Sequence, residues 1–203
     1  MQADPAMAQA QDTDPGPAGI ILAGGRGRRM GGADKALCRL GGRTLGARVR
    51  DRLRPQVPAL ALNANGDPAR FAALGLPVIP DTLPDGGPLA GVLAGLDWAA
   101  SLGATRLLTA AADTPFLPCD LLHRLAAAGT LPAYAATAEG AHPTAALWPV
   151  ALRDALRAEL DDGTRRMREA MDRLGAVPVP FPDPAAFFNV NTPEDLAMAE
   201  TFP

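Results

Sequence analysis

The sequence predicts an α/β fold with three layers, αβα, in which helices cover both faces of a mostly parallel sheet containing one antiparallel strand. Two observations predict it. Short apolar runs alternate with longer helix-like segments along the chain, as in proteins built from βαβ units. Glycines and polar side chains follow several of these runs directly, where open α/β sheets bind ligands. At 203 residues the chain suits one domain, and we expect a disordered leader over 1–17 and a single domain over 18–203.

The first half of the chain predicts four strands and three helices. The strands are the apolar runs 19–22, 59–62, 77–79 and 106–111. A helix is predicted over 44–53, with Thr44 as N-cap and Pro55 as its stop, and a short helix follows Pro68. The third helix, 88–100, opens with Pro88 in its first turn.

The second half predicts the antiparallel strand and four more helices. A helix over 118–128 precedes a strand pair, 131–137 and 143–148, joined by a turn at Glu139-Gly140, and 143–148 is the strand expected to be antiparallel. The remaining elements are helices over 150–160 and 164–174, a strand over 176–181 and a last helix capped by Thr192, with Pro193 at its first position.

Composition excludes several classes of protein. The formal net charge of −3 gives no global attraction to nucleic acid. No apolar stretch approaches the roughly 20 residues of a membrane-spanning helix, and the N-terminus lacks the basic and apolar segments of a secretory signal. The two cysteines have no zinc-site spacing. We therefore expect a cytoplasmic protein.

Residues 20–35 contain the end of the first predicted strand and the glycine-rich, basic loop that follows it. Glycines let backbone N–H groups approach phosphate oxygens, and basic side chains supply positive charge. The loop is not a P-loop, because Lys35 lies between Asp34 and Ala36. It is not a dinucleotide fingerprint either, because Met30 replaces the third glycine. The loop therefore does not support an ATPase function or a dehydrogenase function that transfers hydride.

Four residues that are distant in sequence stand at or just past the ends of predicted strands: Gly24, Asn63, Asp81 and Asp113. The carboxyl ends of parallel strands meet at one edge of a sheet, so we expect these residues to converge there.

The loop resembles the nucleotidyltransferase pattern Leu-Ala-Gly-Gly-x-x-x-Arg-Met-Gly-x-Asp-Lys, with Gly31 as one additional residue after Met30. The matching residues are Leu22, Ala23, Gly24, Gly25, Arg29, Met30, Gly32, Asp34 and Lys35. Further motifs follow in order: Asn63-Ala64-Asn65, Asp81, Gly87-Pro88-Leu89-Ala90-Gly91, Asp113-Thr114-Pro115, His142-Pro143-Thr144 and Phe188-Asn189-Val190-Asn191-Thr192-Pro193-Glu194-Asp195-Leu196. Together they resemble the molybdenum cofactor guanylyltransferases, the MobA family, from about residue 20 to the C-terminus. The fold that this resemblance implies is Rossmann-like and similar to the nucleotide-diphospho-sugar transferases.

The resemblance implies a reaction and its participants. GMP is transferred from GTP to molybdenum-molybdopterin with release of pyrophosphate and with Mg²⁺ as cofactor. A molybdoenzyme or its chaperone is a further candidate partner, and neither nucleic acid nor membrane is expected. The implied nucleotide-binding residues are Leu22, Ala23, Gly24, Lys35, Asn63, Asp81 and Asp113. Asp81 resembles the family's guanine-reading carboxylate, and Asp113 its metal ligand.

The chemistry of nucleotidyl transfer independently explains why basic and acidic side chains are needed here. A phosphate oxygen must attack the α-phosphorus of a triphosphate, so two anions must be brought together. Lys35 and Arg29 are suitable cations, and a carboxylate such as Asp113 is a suitable Mg²⁺ ligand. No general base is needed, because the attacking oxygen is already ionised. We therefore expect Lys35, Arg29 and Asp113 to be catalytic.

Several assignments have structural alternatives. Asp113 and Asp81 could serve as turn residues, and Asn63 could satisfy local backbone groups. Asn189 and Asn191 alternate around Val190, which predicts one face of a strand and contacts with the triphosphate or the metal shell, or else a role in fixing the last helix.

Three further polar side chains also have structural alternatives. Arg165 and Arg166 could bind the acceptor's phosphate or lie on a solvated helix face. His142 is expected to be structural rather than a base.

Two rival functions remain. An enzyme of the same fold could use CTP on the same cofactor or an NTP on a sugar phosphate, although the CTP-using relatives have Ala at Gly24 and Gln at Thr114. A non-catalytic molybdopterin carrier is the other rival, disfavoured by the intact Lys35 and Asp113.

Overall fold

The computed structural model describes residues 15–24 and 34–202. Seven strands in this part of the chain are β1 (Ala18–Leu22), β4 (Ala59–Asn63), β5 (Val78–Ile79), β6 (Arg106–Ala111), β7 (Ala133–Thr137), β8 (Gly140–Pro149) and β9 (Val177–Pro180). They form one sheet in the order β5-β4-β1-β6-β8-β7-β9. Two short strands, β2 (Arg39–Leu40) and β3 (Arg43–Thr44), pair separately as an antiparallel ladder.

The pairing directions confirm the predicted mixture of strands. β1 runs parallel to both β4 and β6, β4 runs parallel to β5, and β7 runs parallel to β9. β8 is antiparallel to both of its neighbours, β6 and β7. The single reversed strand is therefore where the sequence predicted it.

The helices in the described ranges are α1 (Leu45–Leu53), α2 (Pro88–Ser101), α3 (Leu121–Ala126), α4 (Arg153–Asp161), α5 (Met167–Arg173) and α6 (Pro193–Ala199). Two predicted N-caps are confirmed. The Thr44 hydroxyl accepts a hydrogen bond from the Ala47 N–H, and Thr192 forms a capping box with Asp195. Within residues 15–24 and 34–202, no helix has the length and apolar character needed to cross a bilayer.

Helices cover both faces of the sheet, as the alternation of side chains along β1 illustrates. Ile21 packs into a core with α1 and α3, whereas Ile20 and Leu22 pack into a second core with α2, α4 and α5. Since successive strand residues point to opposite faces, one strand supplies both cores. The three-layer αβα prediction is confirmed.

The structure shifts several predicted boundaries. The predicted helix 118–128 shortens to α3, because Pro118 and Asp120 form a turn in which the Leu121 N–H donates to the Pro118 carbonyl. β8 already starts at Gly140, so the turn before it lies at 138–139 rather than at Glu139-Gly140. A 3₁₀ turn, Val150–Leu152, precedes α4.

The predicted helix 164–174 is also shorter, and α5 begins only at Met167. The Thr164 hydroxyl donates to Glu159, and Arg166 has an extended backbone. β2 and β3 were not predicted, because strands of two residues have no periodic pattern.

Some predictions fall outside the described residues. They include Arg29, most of the glycine-rich loop (25–33) and residues 1–14 of the predicted leader. The leader and the single domain over 18–203 stay predictions.

Candidate nucleotide site

The sheet register brings the predicted strand-end residues to one edge. Leu22, the last residue of β1, lies opposite Asn63 on one side and Ala111 on the other. The pairing continues past the strands, because the Ala23 N–H donates to the Asn63 carbonyl and the Ala112 N–H donates to the Leu22 carbonyl. Gly24 and Asp113 follow within two residues, so the predicted convergence is confirmed.

Asp113 belongs to a charged cluster with Lys35 and Asn191, here named the Asp113 cluster. The Lys35 Nζ lies 3.1 Å from Asp113 Oδ2 and also donates to Asn191 Oδ1. Both charged side chains are partly accessible, 26% exposed for Lys35 and 20% for Asp113. The cluster joins groups that are 78 and 156 positions apart in sequence, and it leaves both charges within reach of a ligand.

Asp81 belongs to a second cluster with Asn63 and Asn65, here named the Asp81 cluster. Asn63 Nδ2 donates to Asp81 Oδ1 at 2.8 Å, and Asn65 Nδ2 donates to Asp81 Oδ2 at 2.7 Å. The Asp81 N–H donates in return to Asn65 Oδ1 at 2.9 Å. The half-buried carboxylate is thus held by uncharged amides on both oxygens.

Asn63 is 2% exposed and is packed between two glycines. A Cβ on Gly91 of α2 would lie 2.2 Å from Asn63 Oδ1, and one on Gly24 would lie 3.5 Å from the same atom. The Asn63 amide also donates to the Ile79 carbonyl at 3.0 Å. Helix α2 can therefore pack against Asn63 only because residue 91 has no side chain.

Residues 188–191 cross the site as an irregular segment, which corrects the predicted strand for Asn189 and Asn191. The Val190 N–H donates to the Asp113 carbonyl, and the Val190 side chain is fully buried. Two backbone hydrogen bonds, from Val190 to Asp113 and from Phe188 to Ala185, and the buried Val190 side chain hold the segment without a ladder. Both asparagines still face the site, because Asn189 accepts from the Thr114 hydroxyl at 2.8 Å and Asn191 accepts from Lys35.

A cavity of about 260 Å³ opens at this edge. Its lining includes five of the seven predicted nucleotide-binding residues: Leu22, Ala23, Gly24, Lys35 and Asp113. Asn63 lies next to Gly24 of the cavity wall and donates a hydrogen bond to Asp81, so Asp81 lies beyond this wall. Thr144 of β8 and Asn189 of the segment 188–191 also line it.

Two groups near the site have shifted pKa values. Burial lowers the pKa of the His142 imidazole, opposed in part by Glu139. Its ring stacks on Phe187 with centroids 4.6 Å apart, and Nε2 lies 2.9 Å from the Thr137 hydroxyl. Burial also raises the pKa of the Cys38 thiol, although nearby Lys35 lowers it. His142 is thus favoured as a packed neutral ring, and Cys38 as a thiol rather than a nucleophilic thiolate.

Comparisons with known proteins agree with this geometry. The profile of the family described as MobA-like NTP transferase domain matches residues 19–177. A molybdenum cofactor guanylyltransferase of Cereibacter sphaeroides is 56% identical over 184 residues, covering 90% of this chain and 95% of the relative. The enzyme of the same name from Rhodobacter capsulatus is 55% identical over 188 residues, covering 90% and 94%. This chain belongs to the MobA-like NTP transferase family.

A solved structure supports the assignment. The molybdopterin-guanine dinucleotide biosynthesis protein A of Archaeoglobus fulgidus superimposes with a TM-score of 0.73 at 26% identity, covering 90% of this chain and 96% of that one. The fold class and the family predicted from the sequence are confirmed, and with them the prediction that this MobA-like protein is a nucleotidyltransferase.

The MobA-like fold places the two predicted arginines outside the cavity lining. Arg165 and Arg166 are exposed, and the Arg165 guanidinium donates to the carbonyls of Leu160 and Thr164. The Arg165 carbonyl lies 3.9 Å from the position of a Cβ on Gly87, at the start of α2. Their predicted contact with the acceptor phosphate stays a prediction.

Three residues that shape this site had no assigned role from sequence: Asn65, Gly91 and Arg70. Asn65 and Gly91 belong to motifs that resemble those of the family, so the sequence could indicate that they lie near the site. It could not indicate their contacts. Arg70 lies in the 3₁₀ helix Pro68–Leu74 and had no signal, because its ion pair with Asp34 depends on tertiary packing.

Proposed function

We propose that this protein transfers GMP from GTP to the terminal phosphate of molybdenum-loaded molybdopterin, with release of pyrophosphate. The observation that carries the proposal is the placement of two differently held carboxylates, Asp81 and Asp113, at one sheet edge beside Gly24. Relatives named molybdenum cofactor guanylyltransferase, at 56% and 55% identity, support the choice of reaction.

Asp81 selects guanine in this proposal. A carboxylate accepts two parallel hydrogen bonds, and guanine presents the matching donor pair, N1–H and the 2-amino group. Adenine and cytosine present an acceptor at the ring nitrogen of this edge instead, so an ionised carboxylate would face a lone pair. Asn63 and Asn65 support the assignment, because they hold Asp81 without neutralising its charge.

Lys35 offsets the charge of the triphosphate. Its ammonium group bonds only to side-chain oxygens of Asp113 and Asn191 among the contacts described, and phosphate oxygens can replace these partners when the nucleotide binds. Gly24 lines the same cavity and, having no Cβ, lets a phosphate oxygen approach the backbone. Arg29 stays an expected second cation.

The chemistry of the donor set at Asp113 fits Mg²⁺. In the ranges 15–24 and 34–202 no group of three or more His, Cys, Asp or Glu side chains could hold a metal alone. Mg²⁺ commonly binds through one or two carboxylates together with substrate phosphates and water, so a single carboxylate beside a phosphate site suffices. When bound, the ion would neutralise charge that develops at the α-phosphate.

The acceptor needs positioning rather than deprotonation, because its phosphate oxygen is already ionised. Asn191 holds Lys35, and Thr114 holds Asn189 at the cavity wall. In this proposal Asn191 orients Lys35 towards the triphosphate, and Asn189 faces the same cavity. Arg165 or Arg166 would contact the acceptor phosphate. Fixed orientation of the attacking oxygen is the main contribution that such residues make to phosphoryl chemistry.

The proposal is tested by incubating the protein with Mg²⁺, molybdenum-loaded molybdopterin and either GTP or CTP. Pyrophosphate release and formation of the guanine dinucleotide are expected with GTP. Faster turnover or tighter binding with CTP would replace guanylyl transfer with cytidylyl transfer. No pyrophosphate with any nucleotide, from protein that still binds molybdopterin, would favour the carrier function.

A further inference from the structure

Asn65 closes a two-bond ring on Asp81. Its side-chain Nδ2 donates to the Asp81 carboxylate at 2.7 Å, and its Oδ1 accepts from the Asp81 backbone N–H at 2.9 Å. One amide therefore fixes both the main chain and the carboxylate of residue 81. The amide of Asn carries the donor and the acceptor on two separate atoms, which matches the two bonds of this ring.

Asn63 completes the arrangement from the other carboxylate oxygen, at 2.8 Å. Its side chain is buried and also donates to the Ile79 carbonyl. An ionised carboxylate has about four acceptor positions. The two amides occupy one position on each oxygen, so one position on each oxygen remains for a ligand with two parallel donors.

Arg70 ties Asn65 to the segment that carries Lys35. Its guanidinium donates to the Asn65 carbonyl, and its Nε lies 3.1 Å from Asp34 Oδ2. Asp34 immediately precedes Lys35, which pairs with Asp113. A chain of contacts thus runs from the Asp81 cluster to the Asp113 cluster through Arg70.

We infer that Asn65 is a positioning residue that sets the base specificity of this protein by orienting the Asp81 carboxylate, and that Arg70 holds Asn65 in place. The inference rests on the proposed function, since it requires that Asp81 bind the guanine edge. Asn65 itself contacts no reacting atom. Its effect is on how closely the carboxylate matches N1–H and the 2-amino group.

A change at Asn65 should therefore alter selectivity rather than binding in general. Inosine triphosphate has the N1–H of guanine and lacks only the 2-amino group. The ratio of Kd values for ITP and GTP therefore reports how well the carboxylate receives the second donor. A general loss of structure would weaken both nucleotides equally and leave this ratio unchanged.

The experiment measures equilibrium binding of GTP, ITP and CTP with Mg²⁺ to the full chain and its variants. In the wild type we expect GTP to bind most tightly. Asn65→Ala should lower the ITP-to-GTP ratio of Kd values about fivefold, because one positioning hydrogen bond to a charged group is lost. Asn65→Asp should lower it at least as much, because a second carboxylate faces Asp81. Arg70→Gln should lower it by a smaller factor.

The matched control is Gln56→Ala. Gln56 is another amide side chain that accepts from a backbone N–H, that of Leu122, and donates to the carbonyls of Arg52 and Pro118. It lies between α1 and α3, away from Asp81. It should cost stability without changing the ratio. Thermal unfolding of every variant establishes folding, and Asn65→Asp carries the test if Asn65→Ala does not fold.

Two results would overturn the inference, and only the second would also overturn the guanine assignment. If the wild type prefers GTP and the folded Asn65 variants keep the full ratio, Asn65 does not position Asp81 and the proposed function stands. If the wild type binds ITP or CTP as tightly as GTP, the guanine assignment and this inference both fail. A second check uses Asp81→Asn, to which Asn65→Ala should add no further change in the ratio.

Discussion

The Asp81 and Asp113 clusters hold their carboxylates by opposite means. Uncharged amides hold Asp81, from positions 16 and 18 residues away in sequence. A cation holds Asp113, from 78 residues away. Amide donors fix a carboxylate and leave its charge unpaired, which suits recognition of a neutral base. An ion pair keeps two charges together until phosphates or a metal offer better partners, which suits chemistry between anions.

Under the proposed function, this difference predicts separate tasks for the two ends of the site. Substitutions in the Asp81 cluster should change which nucleotide binds. Substitutions in the Asp113 cluster should change how fast the bound nucleotide reacts. The variants below test that division, beginning with the largest expected effect.

Asp113→Asn should have the largest effect. It keeps the shape of the side chain but removes the charge proposed to bind Mg²⁺, so we expect kcat/KM to fall about 10³-fold. Because the side chain is partly exposed, the thermal midpoint should change little. The control is Asp120→Asn, which removes an exposed carboxylate paired only with Arg124 among the described salt bridges. Near-normal turnover of Asp113→Asn would refute the metal role.

Lys35→Met should lower kcat/KM about 100-fold, because it removes a cation that offsets triphosphate charge. The ratio of Kd values for ITP and GTP should stay at its wild-type value, since Lys35 belongs to the Asp113 cluster. Steady-state kinetics and nucleotide binding measure the two quantities. A fall in base selectivity as large as the fall in turnover would break the proposed division.

Gly91→Ala should weaken GTP binding about tenfold. Its Cβ would overlap Asn63 Oδ1 at 2.2 Å and displace the amide that holds Asp81. The matched control is Gly95→Ala in the same helix, whose Cβ would meet Leu107 at 2.8 Å and Ile20 at 3.0 Å in the core. Both variants should lose stability, but only Gly91→Ala should change base selectivity. If Gly91→Ala and Gly95→Ala have the same base selectivity, Asn63 does not contribute to base recognition.

His142 should give the smallest effect, on stability alone. Burial lowers its pKa in the folded protein, while the unfolded chain titrates near the ordinary value of 6.5. Its contribution to stability is therefore present above about pH 6.5 and is lost as the pH falls through the folded-state pKa. Urea unfolding at pH 7.5 and 5.5 should show a smaller loss for His142→Gln than for the wild type. The exposed His123 supplies the control, His123→Gln, and an equal change there would contradict the assignment.

Much of the fold was predictable, because its signals are local. Apolar runs predicted the strands of the large sheet, and Thr44 and Thr192 correctly predicted two helix starts. The strand-end rule also predicted that Gly24, Asn63 and Asp113 meet, since the rule follows from the parallel register.

The contacts that hold the two clusters were not predictable from the sequence. The ring between Asn65 and Asp81, the ion pair of Arg70 with Asp34 and the close fit of Gly91 on Asn63 depend on tertiary packing. The strand predicted for Asn189 and Asn191 around Val190 was wrong for a related reason. Alternation in three residues does not distinguish a ladder from a loop with one buried anchor.

A crystal structure of this protein with GTP and Mg²⁺ tests the central claim most directly. We predict that the guanine N1–H and 2-amino group lie within hydrogen-bond distance of the Asp81 carboxylate. We also predict that Mg²⁺ binds Asp113 and that Lys35 contacts a phosphate oxygen. A guanine base bound away from Asp81, or a metal held without Asp113, would contradict the division between base selection and chemistry.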